Sequence, residues 1–336
     1  MSKRIVYCAD GTWNTPESKT NVYRFFKAIP NTASQVAYYD DGVGSDGNPI
    51  ERLFGGAFGD GLFKKIKDAY TKIAHAYEKD DELFIIGFSR GSYVARSLAG
   101  MIAICGLPTD PLDPADTTFV DTVFQAYRNK DRRTELLQSL AGKSLHDAQI
   151  TMVGVWDTVG SLGIPAIVGG ISPIIYGFLD TGLHPDVHHA YHALAIDERR
   201  REFPATLWTG TPAQNQTVEQ VWFAGVHCDV GGGYPETGLS DITLKWMMGK
   251  ANALGLEFDP LVFNQYAGLD AKHSLDQIHE SWNIGWLFPK HRAIDPSSNL
   301  SSSVYIRCEH DAVYAPDNLQ LSGDEPAATY TKVSVI

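Results

Sequence analysis

The sequence lacks the features that mark several classes of protein. It contains no run of about 18 uninterrupted apolar residues, so we expect no transmembrane helix. No small-residue cleavage site follows the short apolar run near the N-terminus, so we expect no signal peptide. The four cysteines are scattered without a Cys-x-x-Cys pair. This predicts reduced thiols and a cytoplasmic location, and leaves export by a signal-less secretion system open.

Positive charge is also scarce. The 336 residues include 28 Lys and Arg against 40 Asp and Glu, which gives a net charge of -12 at pH 7. The composition therefore gives no sign of a basic surface that binds nucleic acid. The negative net charge also gives no general attraction to anionic lipid. We expect neither a nucleic-acid partner nor stable insertion into a membrane.

Apolar β-like runs alternate along the chain with helical patterns. This alternation predicts an α/β fold of the α/β-hydrolase type, with a mainly parallel central sheet flanked by helices on both faces. We expect helices over 62–77 and 93–104, and strands over 5–9, 35–39, 83–88, 150–156 and 218–226. A single domain over 1–336 is predicted, with 160–185 as a lid or substrate wall and 290–336 as an irregular C-terminal region.

The pattern Gly-x-Ser-x-Gly occupies residues 87–91, with Ser89 at its centre. Alone it is a short pattern, but here it lies between a predicted strand and a predicted helix, as a nucleophile elbow requires. Gly87 and Gly91 carry no side chains where the two backbones come close. Ser89 is the predicted nucleophile, and the alternative is a glycine-cornered turn with an incidental serine.

A serine hydroxyl needs a base, and the base needs an orienting acid. In α/β-hydrolases the order is Ser, then Asp or Glu, then His, and Asp157 and His227 follow later predicted strands in that order. A glycine-rich stretch after His227 suits a base that reaches over the sheet edge. The alternatives are a structural histidine at 227, a turn-capping aspartate at 157, and Asp229 as the acid.

Two further hypotheses also start from the sequence, a metal site and an aspartate nucleophile. His188, His189 and His192 are clustered, and His188 and His192 would lie one helical turn apart, although no His-Glu-x-x-His motif accompanies them. The string Asp10-Gly11-Thr12 is similar to that of aspartate-nucleophile phosphatases, but Cys8 stands where their second aspartate belongs. We expect no metal and no other cofactor.

An oxyanion hole needs two backbone N–H donors. The residue after the nucleophile, Arg90, should supply one, and the loop after the first strand should supply the other, from Gly11 or Thr12. Asp10 and Trp13 on this loop are the candidate substrate contacts. Asp10 has a structural alternative, an Asx-type turn that fixes the loop.

Several motifs in order resemble one family, the α/β-hydrolase domain shared by type VI secretion phospholipase effectors and many uncharacterised bacterial and fungal proteins. The resemblance spans roughly residues 3–250 and rests on these segments: 10–14 (DGTWN), 41–44 (DGVG), 87–91 (GFSRG), 95–96 (AR), 155–159 (VWDTV), 192–198 (HALAIDE) and 222–234 (WFAGVHCDVGGGY). It implies hydrolysis of carboxylic esters, in some members of phospholipid acyl chains. On matching positions it implies Ser89 as nucleophile, Asp157 as acid and His227 as base.

The sequence thus predicts a serine-dependent ester hydrolase that forms an acyl-enzyme, with a small-molecule ester or a lipid as substrate. Phospholipase A-type activity and a compact esterase both remain open. Two rival functions remain: a metal-dependent hydrolase that uses the Asp and His residues, and a non-catalytic binding module on a hydrolase scaffold.

Overall fold

The computed structural model of the protein describes residues 2–42, 57–140, 145–159, 182–283, 286 and 288–335. Its strands, in chain order, are β1 (Arg4–Ala9), β2 (Gln35–Asp40), β3 (Glu82–Phe88), β4 (Leu107–Pro108), β5 (Leu145–His146), β6 (Ile150–Trp156), β7 (Val187–Ala195), β8 (Thr217–Phe223), β9 (Asn299–Ser301), β10 (Leu321–Ser322), β11 (Glu325–Pro326) and β12 (Thr331–Val333). Eight of them form a sheet in the order β12-β9-β8-β7-β6-β3-β1-β2, in which all neighbours run parallel. The short pairs β4–β5 and β10–β11 are antiparallel.

The helices that the structure describes are α1 (Asn21–Lys27), α2 (Ala57–Ala76), α3 (Arg90–Cys105), α4 (Thr117–Arg128), α5 (Arg133–Ser139), α6 (His227–Gly231), α7 (Gly238–Ala253), α8 (Pro260–Gln265), α9 (Ala271–Ser274) and α10 (Ser302–His310), with a 3-10 turn at Pro16–Ser18. None of the helices in this part of the chain has the length and hydropathy that a membrane crossing requires.

The strands are buried on both faces of the sheet, and their side chains alternate between two cores. In β3, Leu83 and Ile85 enter the core covered by α2, α3 and α4, whereas Phe84 and Ile86 enter the core covered by α1 and α7. Parallel strands covered in this way are apolar at nearly every position, which explains the continuous runs in the sequence. The predicted α/β class, with a parallel sheet between two helical layers, is confirmed.

Three strands of the sheet, β7, β9 and β12, were not predicted from the sequence. β7 carries three histidines and three alanines, and Val187 is its single β-branched residue, so it gives no continuous apolar run that would indicate a buried strand. His188 and His192 therefore lie on an extended strand, and the spacing of one helical turn considered for them is wrong. They point to the same face because side chains alternate along a strand.

The C-terminal region differs from the irregular segment that was expected. Within 290–336, β9 and β12 extend the sheet beyond β8, and α10 packs against β9 and β11. Leu300, Val304 and Cys308 form a third core with Trp222 and Leu194. The expected lid or wall, 160–185, lies outside the described residues except for 182–185.

Candidate active site

Ser89 lies on a sharp turn between β3 and α3. Its φ of 57° and ψ of -122° are a backbone conformation that non-glycine residues rarely adopt, and its N–H donates to the Trp156 carbonyl at 3.0 Å. A Cβ at Gly87 would lie 2.6 Å from the Gly91 carbonyl oxygen, and one at Gly91 would lie 2.2 Å from the Ala9 oxygen. Both glycines are therefore required, and the turn has the strained geometry of a nucleophile elbow.

Asp157 follows β6, the neighbour of β3, and is completely buried. Its φ of 41° turns the chain sharply, and its N–H donates to the Ala193 carbonyl at 2.7 Å. The carboxylate accepts from the Ala195 N–H at 3.0 Å through Oδ1, and from His227 Nδ1 at 2.6 Å through Oδ2. The structure thus brings two of the three predicted catalytic residues into direct contact.

Arg292 holds the Asp157 carboxylate from a second side, and sequence reasoning missed it. Nη1 donates to Oδ1 at 2.6 Å and Nη2 donates to Oδ2 at 2.9 Å. The guanidinium also donates to the carbonyls of Phe203 and Ala195. Burial alone would raise the pKa of Asp157, but the Arg292 charge and the His227 hydrogen bond hold that pKa well below its usual range.

His227 is the first residue of α6, so the predicted flexible loop is a short helix at this point. The ring is buried between Phe88, whose centroid is 4.6 Å away, and the edge-on ring of Phe203 at 5.2 Å. Burial lowers the pKa of His227, and Asp157 opposes this shift only in part. The ring is therefore neutral at pH 7. Because Nδ1 donates to Asp157, Nε2 carries the free lone pair of a base.

The Ser89 hydroxyl and the His227 ring belong to adjacent parts of this site. Phe88, the residue before Ser89, packs directly against the ring. Among the described residues, no hydrogen bond joins the hydroxyl to the ring. Catalytic hydrogen bonds of this kind often tighten only when substrate is bound. The contact between nucleophile and base therefore remains a prediction.

The loop after β1 lies against Ser89, the predicted nucleophile. A Cβ added to Gly11 would be 3.2 Å from the Ser89 Cβ, so only glycine fits there without displacing a neighbour. The Gly11 N–H donates to Asp10 Oδ1 at 2.7 Å, whereas the Thr12 N–H makes no hydrogen bond within the described residues. Of the two expected loop donors, Thr12 has the more available amide. Arg90, the other expected donor, is the first residue of α3.

Asp10 lies beneath this loop and is buried. Its carboxylate accepts four hydrogen bonds, from the Gly11 N–H, the Asn14 amide and the hydroxyls of Thr20 and Tyr39. Burial raises its pKa, and these hydrogen bonds oppose the rise. This arrangement gives Asp10 a role in fixing the loop.

Trp13, the other candidate substrate contact, is 43% exposed at the surface. The guanidinium of Arg90 lies 5.4 Å from the centre of its ring. Its φ of 64° reflects the tight turn of the loop. Trp13 therefore presents an aromatic face next to the elbow.

Asp229, the rival acid, binds a different histidine. Its Oδ1 contacts His279 Nδ1 at 2.6 Å, and its Oδ2 accepts from the Val226 and His279 N–H groups. Asp229 therefore caps α6, on which His227 lies, and Asp157 is the acid that contacts the predicted base.

His192 supports the turn that carries Asp157. Its Nε2 accepts from the Thr158 N–H at 3.0 Å, and burial together with the nearby Arg96 charge lowers its pKa to about 3. It is therefore a neutral, structural histidine. Across the described ranges, no three His, Cys, Asp or Glu side chains are grouped so as to hold a metal ion.

The model of the family described as "T6SS, Phospholipase effector Tle1-like, catalytic domain" matches residues 3–250. This range includes Ser89, Asp157 and His227, and it excludes Arg292.

Individual relatives share 28% or less sequence identity with this chain. The uncharacterized protein YEL023C of Saccharomyces cerevisiae is 28% identical over an alignment of 238 residues, and the match covers 62% of this chain and 33% of the yeast protein. This chain therefore spans one third of that relative's length. An uncharacterized protein from Pseudomonas aeruginosa has a similar solved structure, with a TM-score of 0.47 and 17% identity over 83% of this chain and 51% of the other. The Tle1 effector, solved bound to the VgrG spike of the type 6 secretion system, has a TM-score of 0.40 and 15% identity over 70% and 51%.

Proposed function

Since the chain belongs to the family of Tle1-like phospholipase effector catalytic domains, we propose that it is a serine hydrolase of carboxylic esters. One observation carries the proposal: the buried Asp157 binds His227 Nδ1 at 2.6 Å, at the sheet edge where Ser89 lies on its strained turn. A buried carboxylate that orients a neutral imidazole beside an elbow serine is the arrangement that activates a serine hydroxyl.

In the first half of the reaction, Ser89 Oγ attacks the ester carbonyl carbon and His227 Nε2 takes the hydroxyl proton. The imidazolium that forms is stabilised by Asp157, which stays ionised because Arg292 lowers its pKa. The bond from the acyl carbon to the alkoxy oxygen then breaks. His227 returns its proton to that oxygen, the alcohol leaves, and the acyl group stays on Ser89.

In the second half, His227 takes a proton from water, and the water oxygen attacks the acyl carbon. The bond to Ser89 Oγ breaks, the serine regains its proton, and a carboxylic acid is released. Negative charge develops on the carbonyl oxygen in both halves. We assign the backbone N–H groups of Arg90 and Thr12 to that charge, since Arg90 begins α3 and the Thr12 loop packs on Ser89.

The proposed substrate class is the acyl ester of a lipid. Family membership supports it, because the matching family is described as phospholipase effectors. Trp13 supports it as well, since an exposed aromatic ring beside the elbow offers an apolar surface to an acyl chain. Activity that rises with acyl length over a series of p-nitrophenyl esters and phosphatidylcholines would be consistent with this class.

Labelling by a fluorophosphonate probe tests the serine chemistry directly. We expect one modified residue, Ser89, when the labelled protein is digested and mapped by mass spectrometry. Ser89→Ala should lose both labelling and ester hydrolysis, whereas Ser139→Ala, at an exposed serine of α5, should keep both. A folded protein whose Ser89 is inert to the probe would contradict the proposal and favour a binding module.

A further inference from the structure

A cavity lies on the face of the sheet that α3 and α4 cover. Its volume is about 250 Å³, and its walls come from the second half of α3, the start of β7 and the segment 182–185. Neither Ser89, Asp157 nor His227 is among its lining residues. It is therefore a separate site from the candidate active site.

The charged residues that line this cavity are cations. Arg96, Lys130 and Arg133 all face it, and no Asp or Glu is among the described lining residues. This is unexpected in a chain with 40 acidic and 28 basic residues. A cavity that gathers positive charge in an acidic protein favours an anionic ligand.

Arg96 is the innermost of these cations and is 6% exposed. It donates to the Thr206 carbonyl at 2.5 Å and to the Leu207 carbonyl at 3.3 Å, and its guanidinium lies 4.8 Å from the centre of the Trp208 ring. Carbonyls and an indole face carry only partial negative charge. No carboxylate pairs with Arg96 in the described part of the chain, and its Nε–H has no partner there.

A buried charge without a counterion is costly. Burial lowers the pKa of Arg96 to about 10, which shows how far water has been withdrawn from the guanidinium. An anion in the cavity, which Arg96 lines, would supply the missing negative charge. The protein thus holds a desolvated, incompletely satisfied guanidinium at the wall of an open cavity.

We propose that this cavity binds a phosphate group, held by Arg96 and neutralised by Lys130 and Arg133. Three cations match the charge of a phosphate, about -1.5 to -2, better than that of a single carboxylate. The planar guanidinium fits phosphate geometry. The volume of the cavity is just below the range of about 300–1,000 Å³ for pockets that bind drug-sized ligands, so the phosphate-bearing ligand is small.

Two ligands share this chemistry, a soluble phosphate or phosphate monoester and the head group of a phospholipid. Lys130 is exposed at the rim and Arg133 is half-buried, so a phosphate can be approached from solvent. The site does not rest on the proposed ester hydrolysis, because its residues are separate from the proposed triad. Ser89→Ala should therefore bind phosphate as the wild type does.

Calorimetric titration of the whole chain with inorganic phosphate and with glycerol 3-phosphate, at constant ionic strength set with chloride, tests the proposal. We expect saturable binding of one phosphate per chain. Arg96→Gln and Lys130→Gln should each weaken it at least about tenfold, as expected for loss of a charge-assisted hydrogen bond or a neighbouring charge. Lys79→Gln, which removes an exposed cation outside the cavity, should leave it unchanged.

Vesicle binding distinguishes the two candidate ligands, a soluble phosphate and a phospholipid head group. A lipid head group would be identified as the ligand by three results together. The wild type binds phosphatidylcholine vesicles that contain phosphatidate, both variants bind these vesicles more weakly, and the soluble phosphates do not bind. Because Arg96→Gln could disturb the Thr206–Trp208 segment, Lys130→Gln provides the result that does not depend on folding. The proposal is overturned if neither soluble phosphates nor phosphatidate vesicles bind, or if binding is the same in wild type and Lys130→Gln.

Discussion

Arg292 holds both carboxylate oxygens of Asp157, at 2.6 Å and 2.9 Å, while His227 shares one of them at 2.6 Å. The acid that orients the proposed base is therefore itself oriented by a planar, two-point contact. We infer that Arg292 is a positioning residue, which acts on the imidazole through Asp157 and keeps that carboxylate ionised.

Removing Arg292 should weaken both stability and catalysis. Arg292→Ala leaves Asp157 buried without its guanidinium, and breaking a buried pair costs about 3–5 kcal/mol of unfolding free energy. The pKa of Asp157 should then rise, because burial is less opposed, and the acid limb of kcat/KM should move to higher pH. Arg292→Lys restores the positive charge without the two-point contact of the guanidinium. Its unfolding free energy and its pH profile should therefore lie between those of the wild type and Arg292→Ala. An unchanged pH profile in Arg292→Ala would contradict the positioning role.

The wild-type pH profile follows from the environment of His227. The base must be neutral, and burial lowers its pKa below the ordinary value of about 6.5. Activity should therefore persist as pH falls past 6.5, and decline only as the pH passes through the lowered pKa. Measurement of kcat/KM from pH 4 to 9 checks this. An acid limb centred above pH 6.5 would show that the buried, neutral state of His227 is wrong.

The two aspartates near His227 should differ sharply in their effect on turnover. Asp157→Asn should lower kcat about 10⁴-fold, because an amide no longer fixes the tautomer of the base. Asp229→Asn disturbs the contact with His279 and the cap of α6, so it should lower the free energy of unfolding by about 1–2 kcal/mol. Its kcat should fall less than about tenfold. Equal losses of kcat would leave the choice of acid open again.

The elbow glycines should tolerate no side chain. A Cβ at Gly91 would lie 2.2 Å from the Ala9 oxygen, so Gly91→Ala should displace the Ser89 turn and abolish activity, or prevent folding. Gly249 in α7 is the matched control, since an added Cβ meets nothing within 4 Å. Gly249→Ala should raise the unfolding free energy by up to about 1 kcal/mol. Thermal denaturation and ester hydrolysis of both variants give the comparison.

Much of the fold could be predicted because parallel strands buried on both faces leave continuous apolar runs. The strand at 150–156 matches β6, and the runs that begin near 5 and 83 match β1 and β3. β7 was missed because its histidines and alanines break that pattern. β9 and β12 are three residues each, too short for any periodicity to show.

The candidate site also contains residues that the sequence indicates and one that it does not. Asp157 and Ser89 could be predicted as site residues because each directly follows an apolar strand, and His227 because its segment follows another. Arg292 could not, since it lies in a segment without regular secondary structure, 135 residues after the carboxylate that it binds. A lone arginine in such a segment gives no pattern, and only the fold shows which acid it meets.

The position of Arg292 along the chain sets an order of assembly during synthesis. At about 5–20 residues per second, a ribosome adds Arg292 roughly 7–27 seconds after Asp157. Until then the strands that carry the serine, the acid and the histidine can pair, but the carboxylate must remain hydrated or take up a proton. Ester hydrolysis should therefore first appear on a growing chain only after Arg292 has emerged from the ribosome.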